Sequence, residues 1–403
     1  MLGVNSGVLS AFAVLLDVAL AAVWLILAPR QTANVSALPV LLLVACACAW
    51  GLFVTPASVA PEAAALEIAK LLGGSALLIC GALAGARRIR SKLFCGVLAA
   101  VGGAYAIVSF WLYELDPFRV LGVVKVAHAW RFTGTLLNAN AAGVVFGMVS
   151  LASLGWFLSS LEQRRAAAAR PMLISTGLAA AAAALIACGY TGSRMAFSTT
   201  VLLSLLLILL EVIGAGARGG GFRGLRLIAL AGGMALVFLA VGLGVGKVLN
   251  RQEDVVDTFR GRVEVLGHFM ALAVQRPLTG WGLGTFDQVN QAHLQAASAN
   301  YMYAFGAAHS SIIQMVLDGG APFALLLTAA GALIVLTIVM NWRSIAEGWS
   351  RGLGAAVILA AICSVDDIDL NVPAVTGLTL LALGVLWGRA VAMRQRSMQV
   401  AAQ

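Results

Sequence analysis

Long apolar stretches recur along the chain and are separated by short polar connectors. The stretches are continuous, whereas the strands of a transmembrane β-barrel alternate apolar and polar positions. A helix of about 20 apolar residues crosses the hydrocarbon core of a bilayer. The pattern therefore predicts an all-α, polytopic membrane bundle of about 11–12 spans. We place spans near residues 8–28, 37–54, 63–86, 93–114, 137–161, 171–189, 194–213, 226–247, 320–341, 352–366 and 373–392.

One connector, residues 248–308, is too long to be a simple turn between two spans. Its apolar positions 259, 263, 266, 269, 270 and 273 share one face of a helix, and a glycine-rich turn and a more polar segment follow. This predicts a small helical cap on the membrane surface. The chain then divides into an N-terminal membrane bundle (1–247), the helical loop (248–308) and C-terminal spans with a short tail (309–403).

The basic residues concentrate in connectors that all fall on one side of the predicted bundle. These are residues 86–92, 162–170, 216–226, 341–351 and the tail 393–397. Basic loops face the cytoplasm in membrane proteins, so the cap lies on the outer side. The net charge of +9 is explained by this topology, and no nucleic-acid partner is predicted. Eleven spans would put the N-terminus outside, and a twelfth would put it inside.

Cysteine spacing and catalytic motifs narrow the possible chemistry. The six cysteines lie in or beside apolar runs without metal-ligand spacing, which predicts small buried side chains. The chain has no GxxxxGK[ST], HExxH or GxSxG motif. We therefore expect no metal site and no cofactor, and the candidate chemistry falls to histidine and arginine on the outer side.

His309 stands where the long connector meets the next apolar run, in the stretch AHSSIIQMVLDGG. Helical spacing places Ser311, Gln314 and Asp318 on one face of the helix that begins there. One interpretation is a general base in a wet cavity, because an imidazole with a pKa of about 6.5 can take a proton at neutral pH. The alternative is an interfacial histidine that only packs against its neighbours.

Arginines are the other candidates. Arg194, in GYTGSRMAF, begins a span on the outer side. A charged group at membrane depth either faces a cavity or an anion, or extends outward to the interface. Arg260 and Arg262 lie on the amphipathic helix of the cap, where the simplest interpretation is a solvated face.

Two further polar stretches lie on the outer side. Arg131, Asn138 and Asn140, in AWRFTGTLLNANAAG, come just before a span rich in glycine and alanine. The stretch DDIDLN, residues 366–371, is an acidic connector that could order arginines or bind a cation. Because its carboxylates are adjacent in a short loop, the sequence favours a solvated loop.

Four of these stretches, in this order, resemble the O-antigen ligases of Gram-negative bacteria, within a group that includes O-antigen polymerases and bacterial O-oligosaccharyltransferases. They are RFTGTLLNANAAG, TGSRMAF, RGRVEVLGHFMALAVQRPLTGWGLGTF and HSSIIQMVLDGG. In that family an arginine precedes a Pro-Leu-x-Gly-x-Gly element, here Arg262 before Pro277, and a histidine leads a helix ending in an acidic residue and glycine, here His309. This chain departs from the family with Ser310 in place of a frequent asparagine and Leu266 in place of a tryptophan.

The resemblance implies a metal-independent, inverting glycosyltransferase without a cofactor. It would move a glycan from an undecaprenyl-diphosphate-linked O-antigen donor to a sugar hydroxyl of a lipid A–core acceptor, among membrane lipids. The protein would be multi-pass in the bacterial inner (cytoplasmic) membrane, with its active site facing the periplasm. His309 would be the base, and Arg194 and Arg262 would bind the diphosphate. Possible supporting residues are Arg131, Asn140, Arg260, Ser310 and Gln314.

Three alternatives stay open. An O-antigen polymerase uses the same donor with a carrier-linked glycan as acceptor, and a protein O-oligosaccharyltransferase uses a serine or threonine. A flippase of lipid-linked sugars belongs to a different class, and predicts charges buried in the middle of the spans. Here most charges lie in connectors, and the few inside spans or near their ends include Asp17, Glu67, Lys70 and Glu211.

Overall fold

The computed structural model describes most of the chain outside its N-terminal region and the segment before the cap. The described residues are 38–55, 61–125, 128–162, 170–217, 231, 234, 242, 255–294, 302–303, 305–367 and 369–401. The predicted span 8–28 lies outside them, and so does nearly all of the predicted span 226–247. The division of the chain into three parts stays a prediction.

The all-α class predicted from the sequence is confirmed. Within the described residues, twelve α-helices accompany one antiparallel pair of two-residue strands. The helices are α1 (Leu38–Val54), α2 (Pro61–Gly85), α3 (Arg88–Leu115), α4 (Ala139–Glu162), α5 (Arg170–Tyr190), α6 (Arg194–Ala217), α7 (Val255–Gln275), α8 (Phe286–Ala292), α9 (Ser311–Met340), α10 (Trp342–Ile345), α11 (Gly348–Asp366) and α12 (Pro373–Ala401). The strands are β1 (Arg119–Val120) and β2 (Val123–Val124), and a 3₁₀ turn spans Asp369–Asn371.

Eight of these helices are long and apolar enough to cross a membrane: α2, α3, α4, α5, α6, α9, α11 and α12. Helix α1, with 17 residues, is about 26 Å long and falls slightly short of a hydrocarbon core of about 30 Å. Helix α4 is almost completely buried and packs against α3, α5, α6 and α11. The core of the bundle therefore forms around α4.

Glycines let several of these helices approach backbone to backbone. A Cβ atom added to Gly81 or Gly85 of α2 would collide with carbonyl groups of α12, and one added to Gly384 or Gly388 would collide with carbonyl groups of α2. The bundle thus uses small residues as close-packing points, which favours helix association in a lipid environment where apolar burial alone gives little.

The basic connectors before α3 and before α11 meet at one end of the bundle, which we call the basic end. The Glu347 carboxylate, ahead of α11, accepts bonds of 2.6 and 2.9 Å from Arg88 and contacts Lys92 Nζ at 3.0 Å. Helix α12 reaches the same end, as the contact between Gly85 at the end of α2 and the backbone of Arg389 shows. The opposite end, where α4, α6 and α9 begin, is called the site end below.

At the site end, α7 and α8 pack on α9 and form a small apolar core of their own. Its buried members on α7 are Val265, Phe269, Leu272 and Ala273. Two members of the predicted apolar face, Phe269 and Ala273, are buried in this core, whereas Val263 and Met270 are both more than half exposed.

Helix α9 is broken at Gly320, which has φ 73° and ψ −178°. The glycine-rich turn after α7 fills the break: Ala321 N donates to Pro277 O at 2.7 Å, and Trp281 N donates to Leu317 O at 2.6 Å. A side chain at Gly320 would collide with the backbone of this turn. The Pro-Leu-x-Gly-x-Gly element and the glycines after Asp318 are thus two halves of one contact.

Candidate functional site

His309 is the residue that joins the cap to α9. Its backbone is left-handed, with φ 52°, and Ser310 then extends the chain before α9 starts. The side chain of Gln314 holds this turn, since its Oε1 accepts from Ala308 N at 2.9 Å and its Nε2 donates to Asp318 Oδ1 at 2.9 Å. Positive φ is costly for a residue with a side chain, so the surrounding bonds fix a conformation the loop would not adopt alone.

The imidazole of His309 faces a carboxylate from another part of the chain. His309 Nδ1 lies 3.4 Å from Oδ1 of Asp367, at the end of α11, and its ring packs edge-on against Phe305 at 4.4 Å between centroids. The His309 side chain is 34% exposed, so it remains accessible from solvent. When the Nδ1–H group points toward this carboxylate, the proton stays on Nδ1 and Nε2 is the nitrogen that can accept a proton from a substrate.

The expectation of a solvated acidic connector at residues 366–371 is wrong for Asp367 and Asp369, both of which are buried. Asp367 Oδ2 accepts a hydrogen bond of 2.6 Å from Asn140 Nδ2, while its Oδ1 faces His309. A buried carboxylate needs such partners because desolvation penalises the charged form. The connector is folded inward by contacts that the sequence does not display.

Arg131 and Asn140 extend this network beyond Asp367. Arg131 Nη2 donates to Asn140 Oδ1 at 3.1 Å, so the Asn140 amide is oriented with its nitrogen toward the carboxylate. Asn138 caps α4 by accepting bonds from the backbone nitrogens of Asn140 and Ala141 at 2.9 and 3.2 Å. Four side chains therefore form a continuous chain of polar contacts from Arg131 to His309.

The same arginine ties the site to the start of α6. Arg131 Nε donates to Thr191 O at 2.9 Å, in the turn between α5 and α6, and Arg194 is the first residue of α6. Arg194 is half-buried. The predicted position of Arg194 at the beginning of a helix is therefore observed, at the same end of the bundle as His309.

A buried lysine, Lys125, also lies at the site end, although it was not among the residues predicted from the sequence. Lys125 Nζ donates to Arg131 O at 2.7 Å, and Lys125 is only 4% exposed. Burial lowers the pKa of its ammonium group, against the opposing effect of Asp116. Its signal in the sequence was a lone basic residue in the apolar stretch VLGVVKV, residues 120–126, and such a residue cannot be told by pattern alone from one that only sets topology.

Arg260 and Arg262 lie on α7, and their side chains fall outside the part of the chain that the structure describes. Their predicted roles therefore stay predictions. Ser310 is buried immediately before α9, beside the turn that Gln314 holds. Among the described residues, no group of three or more His, Cys, Asp or Glu side chains is arranged to hold a metal ion.

Comparison with known protein families finds a match to part of the chain. Residues 179–328 match the family model described as O-Antigen ligase. This segment starts within α5, ends within α9 and contains Arg194 and His309, whereas Asn140 and Asp367 lie outside it. The curated proteins contain no significant match to the chain. With eight helices suited to crossing a membrane among its described residues, the chain is a multi-pass helical membrane protein whose residues 179–328 match the O-antigen ligase family model.

Proposed function

We propose that this protein transfers a glycan from an undecaprenyl-diphosphate carrier to a sugar hydroxyl of lipid A–core. The observation that carries the proposal is the pairing of His309, within the O-antigen ligase segment, with the buried carboxylate of Asp367. An imidazole backed by a carboxylate is a suitable base for an alcohol that must lose its proton as it attacks.

His309 accepts the proton in this scheme. The acceptor hydroxyl attacks the anomeric carbon of the donor glycan, its proton moves to His309 Nε2, and the bond from the anomeric carbon to the phosphate oxygen breaks. The electron pair of that bond leaves with undecaprenyl diphosphate, and attack opposite the leaving group inverts the anomeric centre. General base catalysis of this kind contributes about 10²–10⁴-fold to a rate.

Cations stabilise the leaving diphosphate, which gains negative charge as the bond breaks. In this proposal Arg194, the first residue of α6 at the site end, supplies one cation, and Arg262 on α7 is its proposed partner. Planar guanidinium groups suit a diphosphate because each can donate two hydrogen bonds to its oxygens. Because a departing diphosphate is a stable anion at neutral pH, the scheme needs no carboxylic acid to protonate it, and the arginines take the place of a metal ion.

The supporting residues hold the base rather than touch the substrates. Asn140 fixes Asp367 and is itself oriented by Arg131, while Gln314 holds the turn that carries His309. Arg260 and Ser310 are further proposed members, next to Arg262 and His309 in the chain. The proposed setting is the inner membrane of a bacterium, with the site end facing the periplasm, as the positive-inside rule requires for the basic connectors.

The deciding experiment reconstitutes purified protein in vesicles with an undecaprenyl-diphosphate-linked glycan, and offers either lipid A–core or a second carrier-linked glycan as acceptor. Glycan on lipid A–core supports the ligase, and extension of the carrier-linked glycan alone identifies a polymerase. His309→Ala should abolish transfer while donor binding survives, and substantial transfer by that variant would contradict the assignment. Retention of activity in EDTA is expected, and loss on chelation would contradict the metal-independent scheme.

A further inference from the structure

A buried arginine lies at the basic end, at the opposite end of the bundle from the residues of the proposed reaction. Arg389 of α12 is 6% exposed, and its Nε and Nη1 atoms are buried without a hydrogen-bond partner among the described residues. Neighbouring residues Trp387, Ala390 and Val391 pack in a core cluster with Ile345 and Trp349 at the same end. The guanidinium is therefore held within the protein, not spread over its surface.

A guanidinium in this position is costly without a counter-charge. Leaving a buried donor unsatisfied is destabilising, and more so when the group is charged. The nearby acidic group does not supply the missing partner: Glu347 is within electrostatic range of Arg389, but both its oxygens are engaged by Arg88 and Lys92. The geometry thus leaves donors that suit an anion.

The charge balance points the same way. The four cations Arg88, Lys92, Arg389 and Arg396, which we call the Arg389 cluster, lie near Glu347, whose one negative charge does not balance theirs. A tetrahedral oxyanion can accept from several donors at once, and guanidinium groups match phosphate oxygens particularly well. Phosphate is therefore the ligand chemistry that this cluster fits.

A lipid is the source of phosphate that the surroundings favour. On α3, Ile89 and Leu93 are 80% and 65% exposed, each immediately following a cation of the cluster, so an apolar lipid-facing surface runs beside the charges. Trp342, a residue type characteristic of the membrane interface, is partly buried and packs against the core cluster at this end. Basic pockets between membrane helices bind anionic headgroups in this way.

We propose that the Arg389 cluster is a binding site for the phosphate headgroup of an anionic membrane lipid, whose acyl chains lie along the exposed face of α3. The site is distinct from the His309 network, because it is built from the ends of α2 and α12 and the beginnings of α3 and α11. It does not depend on the proposed transferase activity.

The test measures binding of phosphatidylglycerol to the purified full-length protein by native mass spectrometry, with phosphatidylcholine and inorganic phosphate as separate arms. Arg389→Gln should weaken phosphatidylglycerol binding about 10- to 100-fold, because a hydrogen bond to a charged group contributes about 1.5–3 kcal/mol. The matched control is Arg343→Gln, which removes one exposed charge at the same end and should bind as the unmodified protein does.

Three outcomes would overturn the proposal. Equal weakening by both variants would show only general attraction of anionic lipid to the basic end. Equal binding of phosphatidylcholine would show that the anionic headgroup is not recognised. Saturation of the site by inorganic phosphate, with no gain from the lipid, would assign it to a free anion. If Arg389→Gln does not fold, Arg88→Gln on the surface of the cluster must weaken binding, and unchanged binding in that variant refutes the site.

Discussion

Replacing Asp367 by Asn removes the negative charge that faces His309 while keeping nearly the same side-chain shape. When His309 takes a proton from the acceptor, it becomes a cation 3.4 Å from Asp367 Oδ1. Two unit charges at that distance attract by about 1.2 kcal/mol in water and by about 5 kcal/mol at an effective dielectric constant of about 20. Because the imidazole is 34% exposed, solvent screening favours the lower part of this interval, about 1–3 kcal/mol.

That energy is present only after the proton has moved, so its loss should appear in kcat. A change of about 1–3 kcal/mol corresponds to a decrease of about 5- to 160-fold in the rate of transfer, with the KM for the donor little changed. The assay follows glycan transfer to lipid A–core in vesicles under single-turnover conditions. A matched control is Asp116→Asn, the same change at an exposed carboxylate of the connector after α3.

Coulomb attraction at this distance contributes at least about 1 kcal/mol. The charge pairing of Asp367 with His309 would therefore be refuted if Asp367→Asn retained more than about half of the unmodified rate while Asp116→Asn behaved normally. A large rise in the donor KM with an unchanged kcat would also count against it. That pattern would place Asp367 in donor binding and remove its role as the partner of His309.

Three other predictions concern the network, the helix break and the basic end. Asn140→Asp, which places a second carboxylate beside Asp367, should reduce kcat more than Asn140→Ala does, and equal rates in the two variants would contradict the network. Gly320→Ala should lower stability by about 1–3 kcal/mol because of its φ of 73°, whereas Gly331→Ala, with open space around it, should not, as thermal unfolding can show. Burial tends to raise the pKa of Glu347, but bonds from two cations of α3 outweigh it and hold the pKa below its ordinary value of 4.5. Its contribution is therefore complete above that value and is lost as pH falls through the lower folded pKa, so the melting-temperature advantage over Glu347→Gln should shrink only in acid.

The helices were predictable from the sequence because continuous apolar runs have few structural outcomes. All nine predicted spans that fall within the described residues coincide with helices, although the span expected at 320–341 belongs to a helix that begins at Ser311. The helical start was also predicted, because Ser311, Gln314 and Asp318 follow helical spacing, although their polarity kept them out of the predicted span.

The partners of His309 were less predictable because they come from distant parts of the chain. Asn140 and Asp367 are separated by 227 residues, and nothing in either local pattern reveals the contact. Adjacent acidic residues in a short connector usually face water, and only the packing of α11 against α4 turns Asp367 inward. The position of Arg194 at a helix start was predictable, since it follows the glycine of a tight turn.

The break at Gly320 also has a consequence for hydrophobic matching between the protein and its bilayer. Thirty residues of continuous helix would measure about 45 Å, well beyond the hydrocarbon thickness of about 30 Å. The portion of α9 after the break, about 20 residues, is about 30 Å long and fits that thickness by itself. We therefore expect bilayers of different thickness to tilt this lower portion alone, while the portion that begins at Ser311 moves with the cap and preserves the geometry around His309.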